Sequence, residues 1–163
     1  MAKIFNVIYE LIRKISVVVY SLYYKSLFKG EKNKLRIYGN IVVKKAENIT
    51  IGNNCTINDY VFLHGDGGIK IADNVTISAY AKIISTSLDT SNWQVTYMEK
   101  EHISKEITIG EGTWICSGVT ILPGVKITGK GVIVAAGSVL NKDIEEDFVL
   151  VGGTPARVIK KLG

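Results

Sequence analysis

Aliphatic residues recur at every sixth position along most of this chain, and few folds accommodate that spacing. Ile109, Ile115, Ile121, Ile127, Ile133 and Val139 follow at six-residue steps without a slip. The same step links Ile37 to Val43, Ile51 to Ile57 and Leu63, and Ile71 to Ile77 and Ile83. The gaps between these blocks are six plus 2, 2 and 20 residues. An α-helix repeats at about 3.6 residues and cannot hold such a period on one face. A short strand followed by a sharp turn can. Each six-residue unit sends one aliphatic side chain toward the axis of a coil. Small residues such as Gly52, Cys55, Ala72, Ala81, Thr113 and Val125 fit the corners, and Gly and Asn supply left-handed turn conformations. Fourteen in-phase positions between residues 37 and 139 predict an all-β fold, a hexapeptide-repeat parallel β-helix.

The N-terminal segment obeys another rule. Ile4, Ile8, Leu11, Ile15, Val18, Val19 and Leu22 recur at steps of three and four, with Glu10, Lys14 and Ser21 off that face. This predicts an amphipathic α-helix over residues 3–28. Residues 1–34 are thus expected as helix and linker, and 35–163 as one repeat domain interrupted by an inserted loop at about 84–106. The net charge of +5 divides the same way: residues 1–36 carry eight basic and two acidic side chains, residues 37–163 carry 12 and 13. A near-neutral repeat domain argues against nucleic acid as a partner. The longest uncharged run of the helix, Ile15 to Tyr24, has ten residues, about half a bilayer span. Two placements stay open for it: packing on its own domain or a sister subunit, and peripheral membrane contact through residues 3–28, where Tyr20, Tyr23 and Tyr24 stand near lysines. Two cysteines cannot frame a disulfide scaffold, and the chain start shows no secretory pattern, so the expected location is the cytoplasm, with the inner face of the membrane open to it.

From Ile107 the sequence reads ITIGEGTWICSGVTILPGVKITGKGVIVAAGSVLNKDI, then VLVGGTPARVIKKL. These segments resemble the C-terminal signature of the hexapeptide-repeat acyltransferases, a left-handed parallel β-helix family, in its maltose and galactoside O-acetyltransferase branch and polysaccharide-modifying relatives. The resemblance covers roughly residues 35–163. It implies a homotrimer of parallel prisms, acetyl-CoA in grooves between neighbouring subunits, and direct acetyl transfer to a hydroxyl or amine with a histidine as general base. By the same resemblance Trp114, Ser117, Ala136, Asn141, Lys142 and Lys160 match cofactor-binding positions, and Arg157 is a weaker candidate. Cys116 stands where the family's Trp-Ile-Gly motif has glycine. Extended backbone with small side chains suits the pantetheine amides, and lysines suit phosphates. Ala136 and Gly137 fitting a tight corner, and Lys142 and Lys160 as solvated surface charges, are the plain alternatives.

Only two histidines are present, His64 and His102. Imidazole suits general-base work near neutral pH. In the galactoside branch the catalytic His lies early in the inserted loop, in a Ser-His-Asp context; here that stretch reads Ser87-Leu88-Asp89. His102, late in the same loop, is the expected base, with Asp89, Glu99 or Glu101 available to orient it and Asp89 preferred. His64 follows Leu63 in the repeat and is expected to point outward in a structural or acceptor-binding role. Neither histidine has a metal-ligand partner in the sequence, so no metal is expected. Trp93, Tyr97 and Met98 share the loop and can either stack on a sugar ring or pack on a neighbouring subunit. The expected activity is acetyl-CoA-dependent O-acetylation of a cell-surface polysaccharide or its precursor. N-acetylation of a nucleotide-linked amino sugar and a non-catalytic solenoid scaffold are the alternatives.

Overall fold

The computed structural model describes residues 2–163. After the helix α1 (Ala2–Leu27) the chain winds as a left-handed parallel β-helix of about six turns, a three-sided prism with an N-terminal helix. Strands of two or three residues stack in register on each side. On the first face Ile37, Ile57, Ile77, Ile115 and Val134 align coil upon coil. On the second, Val43, Leu63, Ile83, Ile121 and Leu140 align, and on the third, Ile51, Ile71, Ile109 and Ile127. β-Branched side chains suit this pleated, inward-facing position. Further inward columns stand near the corners, one of Cys55, Val75, Thr113 and Val132 and another of Val61, Ala81, Val119 and Ser138.

Eleven of the fourteen in-phase residues are buried, and Val43 is half-buried. Ile133 and Val139 depart from expectation. Val134 and Leu140 occupy the core instead, leaving Ile133 and Val139 half-buried. The expectation of an unbroken six-residue step is therefore wrong by one residue after Ile127. The turn at Thr128-Gly129-Lys130-Gly131 holds the extra residue, with the Thr128 and Gly129 amides both donating to the Ile144 carbonyl at 2.9 and 3.2 Å. Gly131 has a φ of +61° and lies so close to the Phe148 ring that a Cβ there would clash with it. Both Ile133-Val134 and Val139-Leu140 are aliphatic pairs, so the sequence could be read in either frame.

A stack of identical rungs leaves polar edges at both ends. At the lower end the Ile37 amide donates to Ser21 Oγ at 2.9 Å, and the Tyr24 hydroxyl donates to the Ile41 carbonyl at 2.9 Å. Phe28 is buried under this contact. So α1 packs on its own prism, but not by its apolar stripe: Ser16, Val17, Tyr20, Ser21, Tyr24 and Lys25 are half-buried, whereas Ile4, Ile8, Leu11, Ile15, Val18, Val19 and Leu22 are 48% to 66% exposed. At the upper end Ala156–Lys161 runs antiparallel to Val149–Gly153 and closes the first face. The rungs hold the fold together. Replacing Ile121, fully buried between Ile83 and Leu140, with alanine is expected to cost about 2–5 kcal/mol, read as a lowered urea midpoint with an unchanged slope.

Candidate active site

Two edges of the prism collect the expected site residues. The first lies between the first and second faces. Tyr60, Tyr80, Gly118 and Gly137 occupy one equivalent corner in four successive coils, each with positive φ (58°, 62°, 69° and 68°). In the lower coils the tyrosine rings stack at 5.0 Å and stand exposed. In the upper coils the column is bare: a Cβ on Gly137 would meet nothing within 4 Å, and one on Gly118 only Gly137 backbone at 3.9 Å or more. Ser117 and Ala136 precede these glycines, both exposed, and the Gly137 amide donates to the Ser117 carbonyl at 2.9 Å. Trp114 borders the same edge on the first face, its indole Nε1 donating to Ser78 Oγ at 3.0 Å. Above Trp114, in one outward row, stand Ile133, Leu150 and Lys160, three strand spacings or about 14 Å in all. Trp114, Ser117, Ala136 and Lys160 are thus gathered around a strip of uncovered backbone.

Asn141 and Lys142 are elsewhere. They follow Leu140 across the second face, at the edge shared with the third, and both are exposed. The second face separates them from Ala136. Arg157 donates through Nη1 to the carbonyl of the preceding residue, Ala156, at 2.6 Å. Lys142 and Lys160 have no ion-pair partner among the described residues.

The insertion is not an irregular loop but an arm. Thr86–Leu88 and His102–Ser104 pair antiparallel, and a short helix, Trp93–Thr96, forms the tip. Its neck is tied to the prism: the Lys105 amide donates to the Ser85 carbonyl at 2.8 Å, and Ser85 Oγ accepts from the Gly67 amide at 2.9 Å and donates to the His64 carbonyl at 2.6 Å. A Cβ on Gly67 would sit 2.5 Å from the Ser85 carbonyl oxygen and 2.6 Å from the Lys105 amide nitrogen, so only glycine passes here.

His102 is exposed and stands directly across the hairpin from half-buried Leu88. Cross-strand partners in an antiparallel pair share one face of the ribbon. The imidazole is therefore on the face that Leu88 presents, moved to the neighbouring strand. Asp89 is bound differently from the expected orienting role. Its amide donates to the Glu101 carbonyl at 2.7 Å, while its Oδ1 accepts from the Ser91 amide at 2.8 Å. The Ser91 backbone and hydroxyl hold this carboxyl below the usual carboxylate range, with Lys105 assisting. The carboxylate's contribution to the turn is thus complete above the ordinary carboxylate range and lost as pH falls through the depressed value.

His64 lies on the second face, one coil below Ile84, where the arm departs. Its Nε2 is 2.9 Å from Asp66 Oδ2, and the Phe62 ring packs edge-on at 5.8 Å. That pairing was invisible to spacing alone, although the His-x-Asp sequence could have suggested it. Trp93, Tyr97 and Met98 are exposed on the arm. Burial pushes the Cys55 and Cys116 thiols up from their ordinary values, which disfavours the nucleophilic thiolate. Among the described residues no group of three or more His, Cys, Asp and Glu side chains could hold a metal ion.

A scan against protein-family models finds no match. The chain is similar to the galactoside O-acetyltransferase of Escherichia coli strain K12, 36% identical over 124 residues that cover 72% of this chain and 56% of that protein. It is similar to an Escherichia coli dTDP-4-amino-4,6-dideoxy-D-glucose acyltransferase, 33% identical over 160 residues covering 82% of each. Among solved structures it resembles a hexapeptide-repeat acetyltransferase from Vibrio cholerae complexed with acetyl coenzyme A, with a TM-score of 0.78 and 31% identity over 86% of this chain and 74% of that one. The chain spans 53% to 58% of the length of several curated relatives it matches.

Proposed function

The chain belongs to the hexapeptide-repeat acetyltransferases, and on that premise we propose that it transfers an acetyl group from acetyl-CoA to a sugar hydroxyl of a polysaccharide or its precursor. The observation that carries this reading is the bare corner at Gly118 and Gly137. Turn backbone free of side chains lets an elongated amide-bearing substrate lie close and exchange hydrogen bonds with it. Trp114 flanks that strip on one side, and Lys160 offers a charge to a phosphate at the far end of the row. The solved relative with acetyl-CoA bound shares this fold over most of the chain, which supports acetyl-CoA as the donor.

His102 is the proposed base. It takes the proton from the acceptor hydroxyl as that oxygen attacks the thioester carbonyl; the tetrahedral intermediate then expels the CoA thiolate, which receives that proton from the His102 imidazolium and restores the base. Cys55 is buried in the core and Cys116 half-buried, and this burial disfavours a thiolate nucleophile, which favours direct transfer over an acyl-cysteine intermediate. Asp89 serves by fixing the turn at the head of the arm. Asn141 and Lys142 stand across the second face from the bare corner, so a groove using both sets needs a second copy of the chain. That copy is assigned to a homotrimer, in which one prism supplies Ser117 and Ala136 and its neighbour the lysine.

N-acetylation of an amino sugar is the second reading. The amino-sugar acyltransferase matches this chain over 82% of both lengths, more evenly than the O-acetyltransferase does. The product's linkage decides between them: an O-acetyl ester is removed by mild alkali, and an N-acetyl amide survives it. Alkali-stable product on a nucleotide-linked amino sugar, with neutral sugars untouched, would replace the first reading by the second.

A further inference from the structure

We propose that α1 is an interfacial helix that lies on an anionic lipid bilayer with its apolar stripe down and the prism above it. This does not rest on the acetyl-transfer reading. At about 100° per residue, the half-buried Val17, Tyr20, Ser21 and Tyr24 centre on one side of the helix. Ile8, Leu11, Ile15, Val18 and Leu22 centre on the opposite side, roughly half a turn away. A helix that served only to cover its own prism would show the reverse, because burying aliphatic side chains is what stabilises such a contact. Here the prism takes the more polar side and the stripe is left facing outward.

The charges say what fits the stripe. Lys3, Lys14 and Lys25 are spaced eleven apart, close to three whole turns, so they form a row along one border of it. Phe5 and Tyr23, both exposed, stand on the other border. Lysines reaching toward headgroups and aromatics at the polar–apolar boundary are the arrangement an interface favours. The helix has one acidic residue, Glu10; it lies off the stripe and is paired with Arg13 at 2.9 Å. Residues 1–36 carry eight basic against two acidic side chains. Apposing this segment with a second copy would bring like charges together, whereas an anionic leaflet supplies the opposite sign. The helix lies on the bilayer and does not cross it, for no helix among the described residues is long and apolar enough to span.

The test uses the full chain and sedimented vesicles, either pure phosphatidylcholine or equal parts phosphatidylcholine and phosphatidylglycerol. The protein should pellet with the anionic vesicles, and much less so at high salt. The double variant Leu11→Glu/Ile15→Glu should stay in the supernatant while keeping its circular dichroism and thermal midpoint, because both side chains point away from the prism. Replacing Lys3, Lys14 and Lys25 with Gln should weaken binding about a hundredfold. Failure of the parent chain to pellet with anionic vesicles overturns the proposal. So does a change of oligomeric size in the Leu11→Glu/Ile15→Glu variant, which would make a second copy the occupant of the stripe.

Discussion

Replacing His102 with alanine is expected to lower kcat by about 10²–10⁴-fold, the usual contribution of a positioned general base, while leaving acetyl-CoA affinity unchanged. The side chain is exposed on the arm and packs into no core, so stability should move by no more than about 0.5 kcal/mol. Calorimetric titration with acetyl-CoA and steady-state turnover separate the two effects. A loss of affinity with retained kcat would make His102 a binding residue. The sharper control is His64→Ala. His64 has what His102 lacks among the described residues, a carboxylate at 2.9 Å that can fix its tautomer, and it stands one coil below the arm's neck. If His64→Ala abolishes turnover and His102→Ala does not, the base is His64 with Asp66 as its orienting partner.

Filling the bare corner should be as damaging by a different route. Gly137→Tyr installs the residue that the same corner already carries at Tyr60 and Tyr80, with nearly the same positive φ. The backbone conformation is one that tyrosine adopts twice in this chain, and open space surrounds the new Cβ. The variant should therefore fold, at a cost of about 1–2 kcal/mol for a side chain in the left-handed region. Acetyl-CoA affinity should fall about a hundredfold, equivalent to losing two or three hydrogen bonds to the covered backbone. Unchanged affinity in a folded Gly137→Tyr would remove this corner from the donor site and with it the reason for assigning Ser117 and Ala136 there.

The prism was legible because every rung repeats one chemical choice, an aliphatic side chain flanked by small or polar ones. Three features were not. The slip after Ile127 hides because Ile133-Val134 and Val139-Leu140 offer an aliphatic residue in either frame. The arm reads as a loop because Thr86-Ser87-Leu88 and His102-Ile103-Ser104 are too short and too weakly alternating to announce a hairpin, and the His102–Leu88 juxtaposition arises only once the two segments pair. The column Tyr60, Tyr80, Gly118, Gly137 joins residues 20, 38 and 19 positions apart; the arm's insertion breaks any constant spacing that could have linked them. For α1 the stripe was plain in the sequence, but its direction was decided by Ser21 and Tyr24, whose hydroxyl groups meet the prism's open edge.

The most direct test of the central claim is release of the CoA thiol from acetyl-CoA by the full chain across a panel of neutral sugars, polysaccharide fragments and nucleotide-linked amino sugars, with the acceptor's mass measured in the same tube. The account predicts acceptor-dependent thiol release matched by acetyl gain on a neutral sugar or polysaccharide fragment, the added group being labile to mild alkali. No thiol release with any acceptor, together with no heat of binding for acetyl-CoA, would contradict it and leave the prism as a scaffold.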